Sequence, residues 1–161
     1  MKAFGKFVKD NPNEDYRLVL AGSPGHNYDE IRRYIDEYNI SSHVIETGWV
    51  EEEDLPSLYN GSIAFVFPSF YEGFGLPLLE AMSCGTPIIA SNVASIPEVA
   101  QGSALLFDPN NTDDIKRAME DISGNIEKRN ELVEKGFKRV KDFSWEKCAM
   151  ETLKEIERIN L

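Results

Sequence analysis

The chain has 161 residues, of which 42% are hydrophobic and 11% aromatic, and this is the composition of one globular domain rather than of a disordered segment. Its formal net charge of −11 argues against nucleic acid as a partner, because phosphate binding draws on lysine and arginine. The longest apolar run, IAFVF at 63–67, is far too short to cross a bilayer and the N-terminus lacks a signal-peptide pattern, so we expect a cytoplasmic protein.

Strand and helix patterns alternate from residue 16 to residue 108. The expected strands lie at 16–22, 43–48, 62–68, 86–91 and 103–108. The expected helices between them lie at 29–38, 51–59, 76–85 and 95–100. The third strand is apolar on both faces, which indicates burial on both sides of a parallel sheet. The alternation predicts an α/β fold, a doubly wound, Rossmann-like parallel sheet with helices on both faces.

Capping signals support several of these helices. Asn27, Thr112 and Ser144 are predicted N-caps, because a side-chain oxygen at that position accepts a hydrogen bond from a free backbone N–H. Pro77 fits the first turn of its helix and Gly85 fits the position just past its end. Beyond residue 108 the pattern is entirely helical. The last helix carries one apolar stripe, formed by Cys148, Ala149, Thr152, Leu153, Ile156 and Ile159.

The segment 2–10 is a helix that no strand precedes, although a covering helix in a series of βαβ units normally follows its own strand. Two interpretations stay open on composition alone. Either the fold opens with an extra helix, or the sequence starts part-way into a larger protein.

Metal and thiol chemistry have little support in the sequence. Cys84 and Cys148 have no metal-ligand spacing, and with only His26 and His43 besides them we expect no zinc site. Cys84 is interpreted as a packed small residue rather than a nucleophile, and His26 as a turn residue.

The segment PSFYEGFGLPLLEAMSCGTPIIAS, residues 68–91, predicts a binding site. A buried strand leads into a glycine loop at a helix N-terminus, where free N–H groups and the helix dipole attract anions. Gly73 and Gly75 allow close approach of the backbone and positive φ. Glu80, about one turn inside the helix, can accept hydrogen bonds from two vicinal hydroxyls, and Glu72 can face a second sugar.

On these features alone an ordinary turn remains an alternative, because two glutamates separated by seven residues beside two glycines also occur by chance. Phe70 and Tyr71 also have two interpretations: they either stack on a ligand or anchor the loop. The acidic run at 51–54 is interpreted as a solvated first helix turn rather than as a surface that steers a cationic acceptor.

The string FVFPSFYEGFGLPLLEAMSCGTPIIASNVASIPEV closely resembles the donor-binding segment of the retaining glycosyltransferases of the GT-B fold, group 1 (family four). YRLVLAG, HVIETGWVEEEDLPSLYNGS, ALLFDPNNTDDI and DFSWEKCAMETL agree with it in the same order. The resemblance covers nearly the whole chain and implies the C-terminal, donor-binding domain of such an enzyme, lacking its first strand.

The resemblance also implies roles for residues of the motif. Glu80 would hold the ribose hydroxyls of a nucleotide sugar, and Glu72 would contact the transferred sugar near the reacting carbon, as the catalytic residue. The amides of Gly73, Phe74 and Gly75 would meet the sugar and the distal phosphate, with Leu76 beside them.

Three further positions are implied as donor contacts: Trp49 and Val50 near the base, and Gly22 near the diphosphate. The family generally needs no divalent metal and no cofactor, because an arginine and a lysine after the first strand stabilise the leaving diphosphate. This sequence has neither that strand nor that pair, and the N-terminal acceptor domain is absent. The resemblance therefore implies that residues 1–161 are one truncated donor-binding domain, inactive alone.

The chain has three candidate functions. The first is a retaining hexosyltransferase acting on polysaccharide, lipopolysaccharide, glycolipid or a small acceptor, with a nucleotide sugar and the missing acceptor domain as partners. The second is a non-catalytic nucleotide or nucleotide-sugar binding module. The third, a ligand-free interaction domain, leaves the pairing of Glu72 with Glu80 unexplained. Exposed surface on the last helix would favour self-association, and membrane association is expected only of a full-length enzyme.

Overall fold

A computed structural model describes residues 1–25 and 27–159; His26 lies outside the described residues. The strands are β1 (Leu18–Ala21), β2 (Val44–Gly48), β3 (Phe65–Phe67), β4 (Ile88–Ser91) and β5 (Ala104–Phe107). The helices are α1 (Lys2–Asp10), α2 (Tyr28–Glu37), α3 (Leu55–Gly61), α4 (Leu76–Ser83), α5 (Ile96–Ala100), α6 (Thr112–Gly124), α7 (Ile126–Arg139) and α8 (Trp145–Ile159). Single 3₁₀ turns lie at Ser41–His43 and Val140–Asp142.

Every strand pair is parallel, which confirms the predicted α/β class. The strands form two hydrogen-bonded sheets rather than one. β1 pairs with β2 in the first sheet, and the second sheet has the order β3-β4-β5. The sheet is therefore interrupted between β1 and β3, a break that the strand pattern of the sequence does not reveal.

The three-stranded sheet is covered on both faces, because successive side chains of a strand point to opposite sides. Ile88 and Ala90 of β4 pack in one cluster with residues of α4 and α5, among them Leu78 and Val99. Ile89 between them faces a second cluster, which α6 and α7 complete. This two-sided covering is the doubly wound arrangement that the sequence predicts.

The two-stranded sheet has its own apolar cluster and is tied to the rest of the molecule by α1. Phe4 and Phe7 of α1 pack with Ile35 and Ile40, and Met119 of α6 packs against the same cluster. Two ion pairs add to this contact between α1 and α6, Lys6–Asp113 at 2.7 Å and Lys116–Asp10 at 2.6 Å. The opening helix is thus an integral layer of the fold.

The expectation that the third strand is buried on both sides is met only in part, since core clusters pack against both faces of β3 but bury its residues incompletely. All three residues of β3 are half-buried, whereas all four residues of β4 are buried. The difference follows from the sheet order: β4 lies between two strands, while β3 has a neighbour on one edge only. An apolar sequence alone does not distinguish these two positions.

The capping predictions have mixed outcomes. Ser144 caps α8, since its Oγ accepts from the amide of Lys147 at 3.1 Å. The prediction of Thr112 is wrong: the side chain of Asn111 accepts from the amides of residues 113 and 114, so α6 begins one residue after that cap. Asn27 occupies the N-cap position of α2 in a left-handed conformation, and its side chain makes no cap bond.

The acidic run at 51–54 precedes α3 instead of forming its first turn. Pro56 explains the boundary, because proline favours the first turn of a helix, where its missing N–H is not needed. Pro77 has the same place in α4, and Gly85 follows that helix with φ +70°, as predicted.

Helix α8 lies on the surface of the molecule. None of its residues is buried, and the predicted apolar stripe is solvent-exposed, including Leu153 and Ile156. Among the described residues, no helix is long and apolar enough to span a membrane.

Candidate functional site

The loop from Pro68 to Gly75 joins the carboxyl end of β3 to α4. Ligands of open parallel α/β sheets bind at the carboxyl ends of the strands, where helix N-termini point. Within the described part of the chain, the amides of residues 73–76 donate to no protein atom, and the first bonded amide is that of Leu78, which donates to the carbonyl of Gly75. Four consecutive N–H groups at the start of α4, three in the loop and one on the first helical residue, are therefore suitable donors for an anion.

Gly75 is the N-cap residue of α4, with φ +94° and ψ +51°. A side chain there would be strained by the backbone conformation, and a Cβ would lie 3.2 Å from Cδ1 of Leu78. Gly73 differs, because the space around its Cα is open and its φ is not positive. The two glycines thus serve different purposes: one permits the turn, and the other leaves room beside the backbone.

Glu72 is half-buried and held by hydrogen bonds on both sides. The hydroxyl of Ser69 donates to its Oε1 at 2.7 Å. The hydroxyl of Ser95, at the start of α5, donates to its backbone carbonyl at 3.0 Å and lies 3.3 Å from that of Phe74. Since Ser69 occupies one carboxylate oxygen, the other remains for a ligand. The loop is fixed by its own residues and by α5.

Glu80 is exposed on α4, one turn inside the helix, and Tyr59 of α3 orients it. The Tyr59 hydroxyl donates to Oε2 of Glu80 at 3.0 Å. Burial of the ring, followed by the hydrogen bond to this carboxylate, raises the pKa of Tyr59 far above its usual value. The phenol therefore stays protonated and acts as a permanent donor, leaving Oε1 of Glu80 free. The sequence does not indicate this partner, because nothing in local spacing links residues 59 and 80.

The structure supports the interpretation of Cys84 as a packed residue. Burial, with a smaller contribution from Glu80, raises the pKa of the Cys84 thiol. A reactive cysteine needs the opposite shift, since the thiolate is the nucleophile. Its backbone carbonyl accepts from the side-chain amide of Asn60 at 3.0 Å, which ties the end of α4 to α3.

The loop has a second support that the sequence does not indicate, a stack of Phe74, Phe143 and Arg139. Phe74 packs edge-to-face against Phe143, with ring centroids 5.5 Å apart. Arg139 lies 4.4 Å above the Phe143 ring and donates to the backbone carbonyls of Glu98 and Val99, at 3.0 and 2.8 Å. One half-buried guanidinium therefore connects α5, α7 and, through the two aromatic rings, the glycine loop.

The remaining predicted site residues belong to the two-stranded sheet. Gly22 follows β1, and its amide donates to the carbonyl of Gly48 at 2.9 Å, next to Trp49 and Val50. Trp49 is 70% exposed beside the acidic run at 51–53. Gly22, Trp49 and Val50 thus lie together at the carboxyl end of the two-stranded sheet, while residues 72–80 lie at the carboxyl end of the three-stranded sheet. Phe70 and Tyr71 are 69% and 80% exposed, so they do not anchor the loop by burial.

Metal ligands are not grouped anywhere in the described ranges 1–25 and 27–159: no three His, Cys, Asp or Glu side chains come together there as a potential metal site.

Sequence comparison places residues 1–139 in the family described as "Glycosyl transferases group 1". The chain is 41% identical over 138 residues to the O-antigen chain mannosyltransferase B of Escherichia coli, covering 86% of this chain and 36% of that protein. It is 29% identical over 156 residues to the D-inositol 3-phosphate glycosyltransferase of Paenarthrobacter aurescens, covering 95% of this chain and 38% of that protein. The chain thus spans little more than a third of each of these relatives.

Comparison with solved structures agrees with the sequence comparison. The sucrose-phosphate synthase of Thermosynechococcus elongatus superposes with a TM-score of 0.82 and 28% identity, over 98% of this chain and 41% of that one. The C-terminal domain of a group 1 glycosyl transferase from Francisella tularensis superposes with a TM-score of 0.75 over 88% of this chain and 75% of that one; at 23% identity it shows the fold alone.

Proposed function

The chain belongs to the group 1 glycosyl transferases, and from that membership we propose that it forms the donor-binding part of an enzyme that transfers a hexose from a nucleoside diphosphate sugar to an acceptor with retained configuration. The mannosyltransferase names of several relatives favour a mannosyl donor. The acceptor site belongs to an additional domain, consistent with the greater length of these relatives. The chain alone is inactive as a transferase.

The observation that carries the proposal is the row of free amides at residues 73–76 beside an oriented carboxylate on the same helix. The amides bind the distal phosphate, because the α4 N-terminus offers N–H donors and a partial positive charge. Glu80 accepts hydrogen bonds from the ribose hydroxyls through the oxygen that Tyr59 leaves free. One rigid element thus recognises two parts of a nucleotide.

Glu72 faces the transferred sugar. A carboxylate held in place by Ser69 can stabilise the positive charge that develops on a sugar ring as the glycosidic bond breaks. Trp49 and Val50 border the base and Gly22 borders the diphosphate, across the gap between the two sheets. We propose that no divalent metal takes part, and that binding is unchanged by EDTA.

The test is an NMR titration of ¹⁵N-labelled protein with GDP, UDP and ADP, each compared with its free nucleoside. We expect one diphosphate to shift the amide signals of residues 73–76, and its nucleoside to leave them in place while shifting signals near Trp49. Amides of α8 serve as the internal control. The absence of such shifts at millimolar concentration for all three diphosphates would contradict the proposal.

A non-catalytic binding module is the second candidate, since a pure binding site needs Glu80 but not Glu72. The transferase and the binding module are distinguished by measuring hexose transfer and nucleotide affinity of Glu72→Gln and of the unmodified protein, each completed with an acceptor domain. We expect loss of hexose transfer with nucleotide affinity nearly unchanged. Nucleotide binding without hexose transfer in both proteins would favour the binding module, and equal transfer by both would contradict the catalytic role of Glu72.

Tyr59→Phe is expected to weaken nucleoside diphosphate binding about five- to thirtyfold, because Glu80 loses the donor that orients it and a hydrogen bond to a charged group contributes roughly 1–2 kcal/mol. Calorimetric titration measures the effect. Tyr38→Phe, which removes a phenol from the α1–α2 cluster, is the control. An unchanged dissociation constant in Tyr59→Phe would rule out this orienting role.

A further inference from the structure

Ser95 occupies the N-cap position of α5, but its side chain does not cap that helix. A serine at this position normally accepts a hydrogen bond from a free amide of its own helix. The side chain of Ser95 makes no such bond. Its hydroxyl instead donates to the carbonyl of Glu72 at 3.0 Å and lies 3.3 Å from that of Phe74. One hydroxyl thus contacts two alternate carbonyls of the glycine loop.

The residue before Ser95 has an unusual backbone conformation. Ala94 has φ +49°, in the left-handed region that few residues with a Cβ adopt. Such conformations persist where the surrounding structure holds them in place, and they cluster at functional sites. The turn at Ala94 leads the chain from β4 into α5, directly before the hydroxyl that contacts the loop.

Helix α5 is firmly attached to the rest of the molecule. Ile96 and Val99 are buried in the core. Arg139 donates to two backbone carbonyls of the helix, at 3.0 and 2.8 Å. The loop, in contrast, contains two glycines, whose backbones have few intrinsic constraints. The Ser95 hydroxyl therefore connects a fixed helix to a segment that glycine leaves free to vary.

Peptide geometry converts this contact into a direction for the loop amides. The carbonyl of one residue and the N–H of the next belong to one planar trans unit, and they point in opposite directions. The carbonyl of Glu72 therefore sets the N–H of Gly73, and the carbonyl of Phe74 sets the N–H of Gly75. Since both carbonyls face Ser95, both N–H groups point away from it, and neither has an acceptor within the described part of the protein.

We propose that Ser95 is a positioning residue for donor binding: it directs the N–H groups of Gly73 and Gly75 at the distal phosphate without touching the ligand itself. The inference rests on the proposed function, in which these amides bind that phosphate. Donors aligned in advance bind a charge more strongly, because the backbone does not have to reorient when the ligand arrives. Ser69 has a different role, since it donates to the side chain of Glu72 and not to the loop backbone.

The test compares three variants with the unmodified protein. Ser95→Ala removes the hydroxyl, and Ser95→Thr retains it. Ser83→Ala is the matched control: the hydroxyl of Ser83 on α4 donates to the carbonyl of Leu79 at 2.8 Å, so the same kind of bond is lost without a contact to the loop. Calorimetry with GDP, UDP, ADP and their free nucleosides measures binding, and NMR measures the backbone signals of the ligand-free proteins.

We expect Ser95→Ala to weaken binding of the preferred diphosphate about tenfold, because two charge-assisted hydrogen bonds to phosphate lose their alignment. The nucleoside is expected to bind with an unchanged constant, since Glu80 holds the ribose; a general loss of structure would weaken both ligands alike. Without ligand, the carbonyl ¹³C signals of Glu72 and Phe74 are expected to shift in Ser95→Ala. Ser95→Thr and Ser83→Ala are expected to bind the diphosphate as tightly as the unmodified protein.

Several results would overturn the inference. Diphosphate binding with an unchanged constant in Ser95→Ala would exclude the positioning role and leave the proposed function intact. Equal weakening of diphosphate and nucleoside, or a Ser95→Thr variant as weak as Ser95→Ala, would indicate a packing defect instead. Weaker diphosphate binding with unshifted carbonyl signals would make Ser95 a direct ligand contact. Failure of all three diphosphates to bind the unmodified protein would contradict the proposed function, and the inference with it.

Discussion

Glu80→Gln is expected to weaken binding of the preferred nucleoside diphosphate by about a hundredfold. In the proposed complex the carboxylate accepts hydrogen bonds from two ribose hydroxyls, and hydrogen bonds to a charged group contribute about 1.5 kcal/mol or more each. Two of them amount to about 3 kcal/mol, which is two factors of ten in the dissociation constant. Glutamine keeps the size of the side chain but offers a single acceptor oxygen, which Tyr59 also contacts.

The control is Glu134→Gln, which makes the same chemical change at an exposed position of α7. Calorimetry on both variants, with the free nucleoside as a second ligand, gives the result. The nucleoside should lose the same factor as the diphosphate, because the ribose is common to both. If Glu80→Gln binds as tightly as the unmodified protein, the ribose contact is wrong even though the loop amides can still bind phosphate.

Arg139→Met is expected to lower the free energy of unfolding by about 2–4 kcal/mol. The Arg139 side chain is only 14% exposed, and its guanidinium donates to two carbonyls near the end of α5 and packs on Phe143. Methionine preserves part of the apolar stem but leaves both carbonyls without their charged donor, and an unsatisfied buried acceptor costs about 1–3 kcal/mol. Loss of the cation–π contact adds to this cost.

Urea unfolding measures the effect, and Arg117→Met is the control. Arg117 forms an exposed ion pair with Asp114, with 68% of its side chain accessible, and such pairs contribute less than about 1 kcal/mol. A loss of similar size in both variants would mean that the contacts of Arg139 contribute no more than a surface ion pair. In Arg139→Met we also expect shifts in the amide signals of the glycine loop, since Phe143 packs against Phe74.

Local sequence determines much of this protein. The parallel α/β class follows from the alternation of apolar runs with helical periodicity, because both periods are intrinsic to the backbone. The glycine loop at the start of α4 follows for the same reason, since φ +94° at Gly75 is a conformation that glycine adopts readily. Pro77 and Gly85 mark the two ends of that helix correctly.

The predicted starts of α3 and α6 were wrong, because in each case two neighbouring residues have similar preferences for the start of a helix. Asn111 and Thr112 are adjacent residues with side chains that can cap a helix, and which of them does so depends on where β5 delivers the chain. The start of α3 was predicted too early for a similar reason. Both the acidic run at 51–54 and Pro56 favour the first turn of a helix, and the helix begins where Pro56 places it.

The sequence by itself determined the element types, the position of the loop and the two glutamates beside it. Only the tertiary structure decided that Tyr59 orients Glu80, that Arg139 supports Phe74 through Phe143, and that the sheet is interrupted between β1 and β3. The physical reason is the range of the interactions. Backbone conformation is set within a few residues, whereas these contacts join residues that are distant in the chain and meet only when helices pack and strands pair.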